Sequence, residues 1–327
     1  MEITAEYIFT ISSAEEFDAC ALAIFKSQAE NCEVYKNYIH HLGVDVEKVS
    51  SIEKIPFLPI SFFKTHPVVS SNNPVEVTFS SSGTTGMTQS SHHVTDASLY
   101  ERSYLQAFEE FYGKVRDYCF LALLPSYQQR SGSSLIYMVN DLIEKSNHAQ
   151  SGYFLYNHHD LHNTLLKLKA QKQPTVLIGV TYALLDFIEQ YDIDFPELIV
   201  METGGMKGKR KEMVREELHE QLSAGFGVAH IHSEYGMTEL LSQAYSLGEG
   251  IFNCPNWMQV KIRDTNDPLS LIADGKTGGI NVIDLANINS CSFIATQDLG
   301  RINGDGSFEV LGRFDNADLR GCNLLVQ

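Results

Sequence analysis

The sequence predicts an α/β protein: layered sheets flanked by helices, with a small β-rich subdomain towards the carboxy-terminal end. Two patterns predict it. From about residue 75, short apolar runs alternate with helical segments in βαβα order, which is the signature of a sheet covered on both faces. After Met258 the texture changes to short runs at 260–263, 279–284, 292–296 and 308–311, split by Gly and Asp turns. Composition agrees, since 43% of the 327 residues are hydrophobic and 20% are charged. A chain of this size buries roughly three quarters of the surface it exposes when unfolded, so its core needs no metal or disulfide staple.

The elements follow in order. Residues 1–70 read as a mostly helical segment, with Glu15, Phe17, Leu22, Phe25 and Tyr35 at helix-like spacing. The stretch IPFLPISFF (55–63) carries two prolines and reads as extended chain or loop. Residues 75–79 and 92–95 read as strands around a Ser/Gly/Thr loop, and Asp96 is placed to cap a helix running to Gly113. The apolar run 119–124 has the character of a buried parallel strand, as do 176–180 and 198–201. Helices are predicted near 133–147, 159–172, 181–191 and 208–222. Asn303-Gly304-Asp305-Gly306 is a strong hairpin signal. The expected organisation is a helical segment over 1–70, an α/β body over 71–254 and the β-rich subdomain over 255–327.

Charge narrows the function classes. Lys plus Arg number 24 and Asp plus Glu 41, for a formal charge of −17. Such a surface repels nucleic acid and anionic lipid at long range, so neither is expected as a partner. A small anionic nucleotide remains compatible, because local dipoles and cations such as Lys207, Lys209, Arg210 and Lys211 reverse the sign inside a cleft. The plainer reading of those four is a solvated helix start. The six cysteines, Cys20, Cys32, Cys119, Cys254, Cys291 and Cys322, form no CxxC pair, and no disulfide framework is expected. The acidic start lacks the features of a signal peptide, and the longest apolar stretch, near 176–188, is interrupted by Asp186 and is too short to span a bilayer. The expectation is a cytoplasmic protein with no membrane span. His158-His159-Asp160-Leu161-His162 has no second cluster to complete a zinc site and reads as a helix start. His230 and His232 share one side of a strand and are expected to pack, with His232 a candidate for a pocket wall.

The sharpest feature is Ser81-Ser82-Gly83-Thr84-Thr85-Gly86. Its two glycines let backbone approach an oxyanion, its hydroxyls add donors, and successive N–H groups in such a loop form an anion-binding nest. The Walker pattern GxxxxGK[ST] is absent, and a Ser/Gly/Thr cluster also suits a plain flexible turn. Glu202-Thr203-Gly204-Gly205 follows a predicted buried strand, where ligands gather in open α/β sheets. Tyr235-Gly236-Met237-Thr238-Glu239 comes next, then Thr296-Gln297-Asp298-Leu299-Gly300-Arg301, then Gly312-Arg313-Phe314-Asp315.

Taken together, in this order and spacing over about 78–321, these segments resemble the adenylate-forming superfamily of acyl-CoA synthetases, luciferases and adenylation domains, and imply its amino-terminal domain fold. The resemblance implies roles. Ser81, Ser82, Thr84 and Thr85, with Gly83 and Gly86 shaping the loop, would hold pyrophosphate. Gly204 and Gly205 would flank adenine and Tyr235, followed by Gly236, would stack on it. Thr238 would bind the α-phosphate and Glu239 would ligate Mg²⁺. Asp298 would take the ribose hydroxyls with Arg313 beside them, and Asp315 falls at the hinge position. ATP and Mg²⁺ are the implied cofactors and a carboxylic acid the implied substrate. Two positions depart from the superfamily. The loop continues Met87-Thr88-Gln89 where a lysine is usual, leaving Lys207 or Lys209 as substitutes, and Gln297 replaces a glycine. The chain also stops at Gln327, short of the mobile second domain of the larger enzymes.

That short end, with Arg320-Gly321-Cys322, is similar to the LuxE-type acyl-protein synthetases, as are the stretches 125–139 and 202–218. The resemblance implies transfer of a fatty acyl group from acyl-AMP to Cys322 and delivery to an acyl reductase subunit. Cys322 read without it is a small buried hydrophobe. A coenzyme A ligase and a non-catalytic nucleotide-binding scaffold are the alternatives.

Overall fold

The computed structural model describes residues 4–81, 88–125, 132–204, 210 and 213–314. Three helices open the chain: α1 (Ala5–Ile8), α2 (Ala14–Asn31) and α3 (Glu33–His41). Helix α2 starts where Ser13 Oγ accepts from Glu16 N–H at 3.2 Å, while the Glu16 carboxylate reaches back to Ser12 N–H at 2.8 Å. Such reciprocal caps satisfy donors that have no helical partner. Phe17, Cys20, Ala21, Ile24, Phe25 and Gln28 form its buried stripe. The proline-containing stretch gives a two-residue strand, β1 (Leu58–Pro59), then a 3₁₀ turn over Ile60–Lys64.

Strands β2 (Val77–Ser80) and β3 (Ser91–Val94) pair antiparallel, from Val77 opposite Val94 to Ser80 opposite Ser91. Helix α4 (Ala97–Tyr112) begins where Asp96 Oδ1 accepts from Ser98 N–H at 3.0 Å, and is followed by Gly113 at φ 88°. Alternation then runs through β4 (Cys119–Leu123), α5 (Ser134–Ser146), β5 (Gly152–Tyr153), α6 (His158–Gln171), β6 (Thr175–Val180), α7 (Thr181–Ile188), β7 (Ile199–Thr203), α8 (Arg215–Phe226) and β8 (His232–Tyr235). Short strands β9 (Ala244–Ser246) and β10 (Ile251–Asn253) precede β11 (Met258–Arg263), β12 (Gly278–Asp284), β13 (Phe293–Ile302) and β14 (Phe308–Arg313).

These elements fall into two compact units, each discontinuous in sequence. The first comprises Met1–Ala107, Gly236–Ala244 and Asn253–Phe314. In it β11, β12, β13 and β14 form consecutive antiparallel pairs, and β1 adds parallel to β13. The amino-terminal helices therefore share a unit with the β-rich segment. Buried Gln28 of α2 is one reason: its Nε2 donates to the carbonyls of Asn287 and Ile288, and its Oε1 accepts from Ser292 N–H at 2.9 Å. Aromatic packing of Phe25 and Tyr35 against Phe293 adds to it.

The second unit comprises Phe108–Tyr235 with Tyr245–Phe252. Its centre is a parallel sheet in the order β5-β4-β6-β7-β8, its strands linked by helices. Every residue of β4 and β6 is buried, as continuous apolar runs require in a parallel sheet covered on both faces. The apolar stretch 176–188 is thus most of one strand followed by one helix, and among the described residues no helix is long and apolar enough to cross a membrane.

Two boundaries differ from the sequence reading. The helix expected over 208–222 starts at Arg215 and runs to Phe226, because Val214, the residue just before it, is extended (φ −67°, ψ 149°). Strand β13 continues well past the expected 292–296. Its cross-strand partner β14 keeps it paired to Ile302, with a register shift between Leu299 and Gly300. A Cβ at Gly300 would lie 2.4 Å from the Glu309 carbonyl oxygen, so the close approach there requires glycine. The Asn303–Gly306 turn closes this hairpin, with Gly306 at φ 87° and Asn303 N–H bonded to the Ser307 carbonyl at 2.8 Å.

Candidate functional site

In the first unit, the paired ends of β2 and β3 bring the two ends of the Ser/Gly/Thr segment together. Ser81 is buried. Its N–H bonds the Ser90 carbonyl at 3.0 Å and its Oγ accepts from Ser90 N–H at 2.9 Å. The Ser81 oxygen therefore closes the base of the segment. Ser82, Gly83, Thr84, Thr85 and Gly86 lie outside the described residues.

Thr238 and Glu239 sit in a turn closed by Leu240 N–H to the Met237 carbonyl at 3.1 Å, just after Gly236. Glu239 is 1% exposed, so its carboxylate is held in the interior. Three side chains remote in sequence hold this turn by its main chain. His92 Nδ1 lies 2.9 Å from the Thr238 carbonyl oxygen. Asn287 Nδ2 donates to the Glu239 carbonyl at 2.9 Å. The Asp284 carboxylate accepts from Leu241 N–H at 2.7 Å, Ser242 N–H at 3.1 Å and Ser242 Oγ at 2.6 Å. Burial drives the His92 imidazole down to about 4 and keeps it neutral. Burial also raises Asp284 to about 6, against the pull of its hydrogen bonds. None of the three was singled out from sequence. The one available signal was β3 itself, where His92 and Val94 fall two apart on the buried face.

A second group lies on β13 and β14. Asp298 and Arg313 are cross-strand partners, with Arg313 Nε 3.3 Å from Asp298 Oδ1 and both side chains about 15% exposed. Asp298 N–H donates to Thr296 Oγ1 at 3.1 Å. Gln297, at the glycine position of the related motif, accepts from Arg313 through its Oε1 at 3.4 Å, and its carbonyl takes Phe314 N–H at 3.1 Å. Buried Arg263 braces the same stretch through the Thr296 carbonyl. Asp315 and Cys322 lie outside the described residues.

In the second unit, Gly204 follows β7 at φ 78°, a conformation L side chains rarely adopt. Tyr235 ends β8, buried and edge-on to Phe252 at 5.9 Å between ring centres. On β7, Glu202 accepts from Ser233 Oγ at 2.8 Å and from Thr181 Oγ1 at 3.2 Å, with Arg215 at 3.4 Å. Burial pushes the Glu202 carboxyl up, but His219, Arg215 and Ser233 together hold it below the ordinary range. Glu234 accepts from Thr203 Oγ1 at 2.7 Å. Burial, with the neighbouring Glu202, raises it to about 7. His232 contacts the Tyr112 hydroxyl through Nδ1 at 3.2 Å. Gly205, Lys207, Lys209 and Lys211 lie outside the described residues. Arg210 pairs with Asp186 and Glu189.

A fold of this kind is that of the adenylate-forming ligases. It superposes on 2-hydroxyisobutyryl-CoA ligase in the postadenylation state with R3-HIB-AMP, at a TM-score of 0.66 and 11% identity, over 95% of this chain and 70% of that one. ATP-bound MatB from Rhodopseudomonas palustris is also similar, at a TM-score of 0.52 and 17% identity, over 75% of this chain and 49% of that one. The chain belongs to the LuxE acyl-protein synthetase family, which it matches over residues 11–327. A long-chain-fatty-acid–luciferin-component ligase of Photorhabdus luminescens is 36% identical over 67 residues, 20% of this chain. The aligned stretch spans 57% of that relative.

Proposed function

We propose that this protein is an AMP-forming ligase that activates a fatty acid as its acyl-adenylate and transfers the acyl group to its own Cys322, for delivery to an acyl reductase subunit. The observation that carries the proposal is family membership over nearly the whole chain, together with a buried Glu239 whose turn is fixed by its main chain.

In this reading the substrate carboxylate attacks the α-phosphorus of ATP and pyrophosphate leaves. Hydroxyls of Ser81, Ser82, Thr84 and Thr85, with main-chain N–H groups that follow Ser81, bind the departing phosphates, and Thr238 the α-phosphate. Gly204, Gly205, Gly236 and Tyr235 form the adenine site. Asp298 accepts from the ribose hydroxyls and Arg313 keeps that carboxylate in place. Mg²⁺ needs only one or two protein carboxylates besides phosphate oxygens, and the buried carboxylate of Glu239 would supply one of them. When bound, the ion neutralises the charge that the two anionic reactants bring together.

The Cys322 thiolate then attacks the acyl carbon and AMP leaves. The described thiols support assigning this step to Cys322. Burial pushes Cys20 and Cys119 up to about 11 and Cys254 to about 12, and also raises Cys32 and Cys291, so each is a poor nucleophile at neutral pH.

The test is mass spectrometry of the intact protein after ATP, Mg²⁺ and mixed fatty acids, beside acid-dependent exchange of pyrophosphate into ATP. Wild type should gain a hydroxylamine-sensitive acyl mass. Cys322→Ser should keep exchange and lose the acyl mass. Acylation of that variant at the wild-type rate would place the acceptor elsewhere, and a free coenzyme A thioester as sole product would favour a coenzyme A ligase.

A further inference from the structure

We infer that His92, Asp284 and Asn287 are positioning residues that clamp the Thr238–Ser242 main chain and thereby set Glu239 for metal–nucleotide binding. The role given to Glu239 rests on the adenylation reading above; the clamp itself rests on geometry. Carbonyls of two successive residues, Thr238 and Glu239, accept from two side chains, and the N–H groups of Leu241 and Ser242 are both taken by one carboxylate. Main chain on both sides of Leu240 is thus fixed by groups that are themselves buried.

Each clamp residue is anchored in turn. Asp284 ends β12 and also accepts from Ala286 N–H at 3.2 Å. Asn287 Nδ2 makes a second bond, to the Cys291 carbonyl at 3.1 Å. His92 stands on β3, edge-on to Phe63 at 5.6 Å between ring centres. That strand pairs with β2 at the base of the Ser/Gly/Thr segment, so the His92 bond ties the frame of the proposed phosphate segment to the proposed metal carboxylate. A carbonyl oxygen only accepts, so the ring nitrogen facing Thr238 must carry the proton. The clamp therefore requires the Nδ1–H tautomer of His92.

The experiment uses the full chain as wild type, His92→Leu, His92→Asn and Asn287→Ala. Three quantities are read: the Mg²⁺ concentration for half-maximal acid-dependent pyrophosphate exchange, Mn²⁺·ATP affinity by calorimetry, and the melting temperature. Loss of one buried hydrogen bond should raise the Mg²⁺ requirement about tenfold in His92→Leu and Asn287→Ala, while His92→Asn, whose amide nitrogen replaces Nδ1 as donor, should stay within about threefold of wild type. Nitrogen-15 NMR of the wild-type imidazoles should show His92 as the neutral Nδ1–H form. A folded His92→Leu with wild-type Mg²⁺ requirement and Mn²⁺·ATP affinity overturns the clamp, as does an Nε2–H His92. Should the apolar variants not fold, the wild-type tautomer and His92→Asn decide. A wild type that exchanges no pyrophosphate overturns the adenylation reading instead, and the clamp is then judged on Mn²⁺·ATP affinity and the tautomer.

Discussion

Glu234 shows how one residue's surroundings become a measurable property of the protein. Its carboxyl is raised from 4.5 to about 7, first by burial and then by the Glu202 carboxylate, with only the Thr203 hydroxyl opposing. A folded-state value above the unfolded one means that the folded protein binds a proton the unfolded chain gives up. The stabilisation is full below about 4.5 and is lost as pH rises through about 7. The melting temperature should therefore fall between pH 5 and pH 8 by more in wild type than in Glu234→Gln, whose amide does not titrate. Parallel melting curves across that range would show that Glu234 is not the group responsible. Glu202, one residue before Thr203, behaves in the opposite sense because His219, Arg215 and Ser233 stabilise its charge. Sequence alone places both acids beside strand ends, and only their partners separate them.

Among the elements, α2 illustrates a helix whose buried face holds a structural polar side chain as well as apolar ones. Gln28 lies on the buried stripe, yet both ends of its amide are used, towards Asn287, Ile288 and Ser292. Gln28→Ala would leave Ser292 N–H buried without that acceptor and should cost about 1–3 kcal/mol of stability, read as a lower urea midpoint with unchanged slope. An unchanged midpoint would show that the amide does not join helix to loop energetically. Because the same loop carries Asn287, this variant should also weaken Mg²⁺-dependent exchange before it abolishes folding. The β-strand pattern was legible for β4, β6, β7 and the closing hairpin, because buried apolar runs and an Asn-Gly-Asp-Gly turn are local signals. The extension of β13 through Asp298 was not legible. Polar residues at 297, 298 and 301 resemble a loop until β14 supplies their cross-strand partners.

For the whole molecule, the −17 charge sets the terms on which an anionic nucleotide arrives. Added salt screens the long-range repulsion, so the association rate of ATP, followed by stopped flow with a fluorescent analogue, should rise with ionic strength. A rate that falls steeply with salt would mean that local cations dominate the approach. The sequence by itself determined the α/β class, the alternation of elements and the motif order that marks the family. All are local, carried by periodicity or by residues within one short segment. Only the tertiary structure decided what holds the Thr238–Glu239 turn. His92 reaches Thr238 across 146 residues and Asp284 reaches Leu241 across 43. A histidine or aspartate on an inward face has the same local pattern whatever it touches. Burial makes the choice of partner decisive, since a polar group removed from water must find its hydrogen bonds in whatever the fold brings beside it.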